Sequence, residues 1–87
     1  MSLHYIVDRA GKIIGRYRDG HVTRYYDAVS KELAFTQVSG KNILLFDYAT
    51  KKQIGKFDGC YTTDAGGRMV GRGNLLHWIV YPTAKRY

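Results

Sequence analysis

The imidazole and thiol side chains that could hold a metal or attack an electrophile in this 87-residue chain are His4, His21, His77 and Cys60. A zinc site draws three or four N or S ligands to one point, and its ligands usually show characteristic spacing. No two of these histidines stand at zinc-finger or i,i+4 helical spacing. His4 and His77 can meet only if the two end segments pair, and no third ligand then joins them. A nucleophilic Cys60 would want an orienting histidine and a cleft. A lone small cysteine in an extended segment reads instead as a packed residue. The carboxylates form no acid–base pair either, because Glu32 is the only glutamate and all six aspartates fall at turn positions. "GKIIGR" lacks the spacing and the following helix of a phosphate loop. The expectation is a protein without a catalytic, cofactor or metal site.

The charge balance points elsewhere. Fourteen Lys and Arg stand against seven acidic residues, a net charge of +7, and there are eight tyrosines. Such a balance attracts polyanions. Arg16-Tyr17-Arg18, Arg24-Tyr25-Tyr26 and Lys85-Arg86-Tyr87 interleave cations with aromatic rings. Single-strand nucleic-acid binders use that combination, since bases stack on rings while cations hold phosphates. The candidate residues are Arg16, Tyr17, Arg18, Arg24, Tyr25, Lys56 and Arg72. A competing account is purely structural: Tyr suits a strand, and Lys or Arg guards exposed sheet edges against aggregation. A third class is self-association. "NILLF" and "NLLHWIV" are apolar on both faces, and a single layer of strands does not cover both. Leu44, Phe46, Leu76, Trp78 and Val80 are therefore the expected homodimer interface, unless those runs fold into an internal core.

Positioning these residues falls to a repeated element. Asp8, Asp27, Asp47 and Asp64 follow one another at steps of 17 to 20 residues. After each comes a short polar or small stretch, then a cation, an apolar residue and a small residue: Gly15, Ala34, Gly55 or Gly71. Asp at the start of a turn accepts backbone N–H bonds, and Gly at its end tolerates positive φ. Between these turns lie Asp19-Gly20, Ser39-Gly40, Asp58-Gly59 and Gly73-Asn74. Asp-Gly between alternating residues is a hairpin signal. The reading is a single all-β domain of four hairpin units, about 5–20, 24–40, 44–59 and 60–74, with a closing ninth strand over 75–82. "HWIV" echoes the opening "HYIV", which suggests that this last strand pairs near the first. Helix competes only at Tyr25–Val38, where Asp27 would be the N-cap, and the repeat register favours strand there.

Alternation across a strand places Ile13, Gly15 and Tyr17 on one face and Ile14, Arg16 and Arg18 on the other. Arg16, Lys56 and Arg72 hold matching positions, each one past the small residue. Gly inside a strand costs roughly 0.5–1 kcal/mol relative to Ala, so it marks a bulge or a close approach. Gly15, Ala34, Gly55 and Gly71 are expected either to line a central axis or to sit at bulges.

Four Asp-turn hairpins in a chain of this size resemble the small bacterial domain called the four-fold β-flower, in which hairpins stand like petals around an axis. The resemblance spans Tyr5 to about Tyr81 and implies a fold, without a biochemical activity attached. The lone cysteine precludes an internal disulfide. No signal-peptide core or run of about 18 apolar residues occurs, so a soluble, cytoplasmic protein without membrane contact is expected.

Overall fold

The computed structural model describes residues 3–85. The strands are β1 (Leu3–Val7), β2 (Ile13–Arg18), β3 (Arg24–Asp27), β4 (Glu32–Ser39), β5 (Asn42–Asp47), β6 (Gln53–Phe57), β7 (Tyr61–Asp64) and β8 (Met69–Arg72). They pair antiparallel in chain order, as one meander curled into a half-barrel. The segment 25–38, where a helix competed, is strand, turn and strand.

The Asp turns show why these residues form hairpins. Asp8 Oδ1 accepts the N–H groups of Ala10 and Lys12 at 2.9 Å each, and the Asp8 carbonyl accepts the Gly11 N–H at 3.0 Å. Asp27 repeats the set on Val29, Lys31 and Ser30, and Asp64 on Gly66, Arg68 and Gly67. The residue closing each of these turns has positive φ: Gly11, Ser30 or Gly67. Asp47 heads a turn one residue longer, closed by Lys51 at φ 61°. Loss of glycine from the second and third turns therefore leaves the Asp device working, with Ser30 and Lys51 in the left-handed region.

Each Asp turn is followed by a bulge. Ile6 pairs with Gly15 but Val7 pairs with Ile13, so Ile14 is an extra residue in β2. Leu33, Ile54 and Val70 are extra at the matching places in β4, β6 and β8. A bulge shifts the phase of alternation. Ile14 packs against the core and Ile13 is 50% exposed, the reverse of what strict alternation back from Gly15 gives.

The closing strand expected over 75–82 is instead a helix, α1 (Leu76–Val80). As a strand, this run would need cover on both of its apolar faces. As a helical turn, Leu76, Ile79 and Val80 share one side, and all three join the core on the inner face of the sheet. Thr62 launches the helix: its hydroxyl donates to the Gly73 carbonyl at 2.6 Å and accepts the Leu75 N–H at 2.9 Å. Pro82, with no N–H and a restricted predecessor, follows the helix end. The chain then returns to the first hairpin, where Ala84 bridges Asp8 and the Lys85 N–H donates to the Val7 carbonyl at 2.8 Å. The ends do lie together, through 84–85 rather than through the "HWIV" run.

This C-terminal segment explains the small residues. A Cβ on Gly15 would collide with the Tyr81 ring and lie 2.6 Å from the Tyr26 carbonyl oxygen. On Gly55 it would stand 2.6 Å from Ile79 Cδ1, and on Gly71 2.6 Å from Leu75 Cδ1. Close approach is thus the reason, but the neighbour is the plug formed by 75–81. Above the small residues, the core is built from Ile6, Tyr25 and Leu45 on the sheet with Leu76 and Tyr81 on the plug.

Candidate functional site

Residues two before each repeat Asp (Ile6, Tyr25, Leu45, Thr62) are buried, and alternation puts those one and three before it on the outer face, although on the edge strand β1 Tyr5 and Val7 also border a pocket with Trp78 of the plug. The residue just past each small residue faces outward too: Arg16, Phe35, Lys56 and Arg72. Cross-strand pairing assembles these positions into one band. Arg16 lies between Tyr5 and Tyr26. Phe35 lies between Arg24 and Phe46, Lys56 between Leu44 and Thr63, and Arg72 opposite Tyr61. At about 4.8 Å per strand step, the band runs roughly 34 Å around the outside of the sheet.

Within the band, cations sit on rings. The Arg16 guanidinium stands 6.0 Å from the Tyr26 centroid, and its Nη2 donates to the Ser30 hydroxyl. Phe35 and Phe46 stack at 5.6 Å with planes 21° apart. Lys51 Nζ lies 3.9 Å from the Tyr48 centroid and 5.3 Å from that of Phe35. Such contacts are worth about 0.5–1 kcal/mol at exposed sites. Glu32 also faces this side, where it bonds Arg24 Nη1 at 3.0 Å. A shallow groove of about 310 Å³ is lined by Leu3, Arg16, Tyr17, Arg18, Val22, Arg24 and Tyr26.

The structure divides the residues singled out in the sequence. Arg16, Arg18 and Arg24 gather on β2–β3, with Lys56 and Arg72 farther along the same face. Tyr25 is on the other face, 3% exposed and part of the core, whereas Tyr17, stacked on His4 at 4.8 Å and on His77 at 5.8 Å, borders both the inner cavity and the outer groove. Burial first, then nearby phenols and Asp19, pushes the Tyr25 hydroxyl far above the ordinary tyrosine range, and burial with Asp19 raises Tyr17. The rings placed on the band are Tyr5, Tyr26, Phe35, Phe46 and Tyr61. Their signal was the offset from the repeat Asp, or from the small residue, which an Arg-Tyr-Arg string obscures.

The expected apolar interface also changes. Leu76 is fully buried in the core and presents nothing to a partner; Leu44, Phe46, Trp78 and Val80 are half-buried. Cys60, expected to be packed, is exposed. The Asp58 turn draws the Cys60 N–H to Asp58 Oδ1 at 2.9 Å and sets the residue in the turn, before β7 begins.

On the inner face, at the end opposite the Asp turns, a cavity of about 440 Å³ opens between the 19–23 loop, β4, β5 and the start of α1. Polar groups do converge there, among them Asp19, His21 and His77. Asp19 Oδ2 lies 2.6 Å from His4 Nε2. Among the described residues no three His, Cys, Asp or Glu side chains are placed to hold a metal ion, and no helix is long and apolar enough to cross a membrane. No family model, curated protein or solved structure matches this chain.

Proposed function

We propose that this protein is a non-catalytic binding module whose outer sheet face holds an extended polyanion bearing planar groups, that is, single-stranded nucleic acid. The observation that carries the reading is the band itself. Cross-strand pairing sets Tyr5, Arg16 and Tyr26 in one row, Arg24, Phe35 and Phe46 in a second, and Tyr61 beside Arg72, with Lys56 between Leu44 and Thr63; Tyr5 is 60% and Tyr61 40% exposed. Sheet faces carrying aromatic platforms are a recurring way to stack unpaired bases, and interleaved cations then track the phosphates.

The same reading takes the four hairpins as one petal used four times, as in the four-fold β-flower. Its support is the shared Asp-turn bonding and the bulge at the same offset in every unit. An exposed, unpaired Cys60 fits a reducing compartment such as the cytoplasm.

The test is fluorescence anisotropy of a labelled oligothymidylate, with heparin as a polyanion that lacks bases. With four to five band cations engaged, log K falls against log salt with a slope of about −3, at about 0.7 per phosphate contact on a single strand. Tyr26→Ala weakens the oligonucleotide and leaves heparin unchanged. Equal loss for both ligands removes the stacking component, and absence of binding at low salt sinks the reading.

A further inference from the structure

We propose that the cavity at the end of the inner face is a second binding site, for a small organic cation with an apolar body. It does not depend on the outer band, whose residues lie on the other side of the sheet.

The cavity of about 440 Å³ is of the size that holds small ligands. Its charge is decisive. Asp19 is the one Asp, Glu, Lys or Arg among the residues lining it, in a chain of net charge +7. The arginines of β2 and β3 that flank the loop, Arg16, Arg18 and Arg24, line the outer groove. The negative field also reaches the cavity walls, since Asp19 contributes to the upward shifts of both Tyr17 and Tyr25.

The carboxylate is held in place. His4 engages Oδ2 and itself stacks on Tyr17, fixing its own ring. A carboxylate has about four lone-pair sites, so one bond to His4 leaves acceptor capacity for a ligand N–H. The remaining surface suits an organic ammonium rather than a bare ion. Val38 and Ile43 supply an aliphatic wall and Tyr25 a ring, and Thr36 is already committed to the Thr23 N–H at 2.9 Å. A metal ion is poorly served, because no second carboxylate lines the space.

The probe is benzylamine at pH 7, where its amine is protonated, against benzyl alcohol as the uncharged isostere. Amide and side-chain NMR shifts of the full chain are followed in both titrations. Benzylamine gives saturable shifts at Tyr17, His21, Thr36 and His77, and benzyl alcohol binds at least tenfold more weakly. Asp19→Asn, at a side chain 57% exposed and therefore no threat to the fold, weakens benzylamine at least fivefold. The proposal is overturned if the two probes bind equally, if Asp19→Asn binds as well as the parent, or if no saturable shift occurs at these residues.

Discussion

Tyr81→Phe removes one oxygen from the contact that fastens the plug to the sheet. The Tyr81 hydroxyl donates its one proton to the Tyr26 carbonyl at 2.6 Å, with the Arg16 carbonyl as a second, shared acceptor at 3.0 Å, and the residue is 3% exposed. Phe keeps the ring packing over Gly15, so the loss is confined to hydrogen bonding. A net bond is worth about 1 kcal/mol, and a buried acceptor left without its donor adds about 1–3 kcal/mol. Because each carbonyl belongs to a sheet ladder and keeps a second lone pair, the lower part of that range applies, about 2 kcal/mol in total. With an unfolding entropy of about 2.1 cal/mol/K per residue, an 87-residue chain loses about 11 °C of Tm for that change. Thermal circular dichroism at pH 7 measures it, with Tyr48→Phe, 44% exposed, as the unaffected control. A shift below about 3 °C would refute the idea that this hydroxyl fastens the plug.

The same variant has a pH signature. Burial, chiefly, pushes the Tyr81 hydroxyl up to about 12 from its ordinary 10.0. Between those values the unfolded chain has released the proton while the folded chain retains it. The unfolded state thus binds fewer protons, and stability falls as pH rises. The contribution is fully present below pH 10 and is lost as pH climbs through about 12. Tyr81→Phe flattens that decline without abolishing it, since Tyr25 is raised as well. Identical slopes in parent and variant would contradict the assignment.

Three further outcomes are expected. Gly15→Ala places a methyl against the Tyr81 ring and the Tyr26 carbonyl, and lowers stability by about 1–3 kcal/mol, as overpacking does; chemical denaturation reads it, and a neutral result would mean that the plug moves freely. Thr62→Val, at a fully buried site, orphans the Leu75 N–H and frees the Gly73 carbonyl, for a loss of about 2–3 kcal/mol by the same assay. Glu32→Gln removes the acid that holds Arg24 and tightens oligonucleotide binding two- to fivefold at low salt in anisotropy titrations.

The strands were legible because Asp turns repeat at a near-constant step with a second set of turns between them. What the sequence concealed has identifiable physical causes. The bulge at Ile14 and its counterparts carries no residue signature of its own, so period-two counting fails on the far side of it. The helix at 76–80 is too short to be favoured by propensity; it forms because the inner face offers Gly15, Gly55 and Gly71 as room for Tyr81, Ile79 and Leu75. Those glycines were recognised as points of close approach, with their partner misplaced. For the candidate site, charge and tyrosine content pointed to a binding face. Which tyrosines it uses depended on pairing: Tyr25 and Tyr26 are adjacent in sequence, yet one is core and the other lies beside Arg16.

The most direct measurement is an NMR titration of the protein with an unlabelled oligothymidylate at low salt, followed residue by residue. Shifts are expected only along the outer band, at Tyr5, Arg16, Tyr26, Phe35, Phe46, Lys56 and Arg72, with the inner cavity silent. Shifts centred on the cavity, or none along the band, would contradict this expectation.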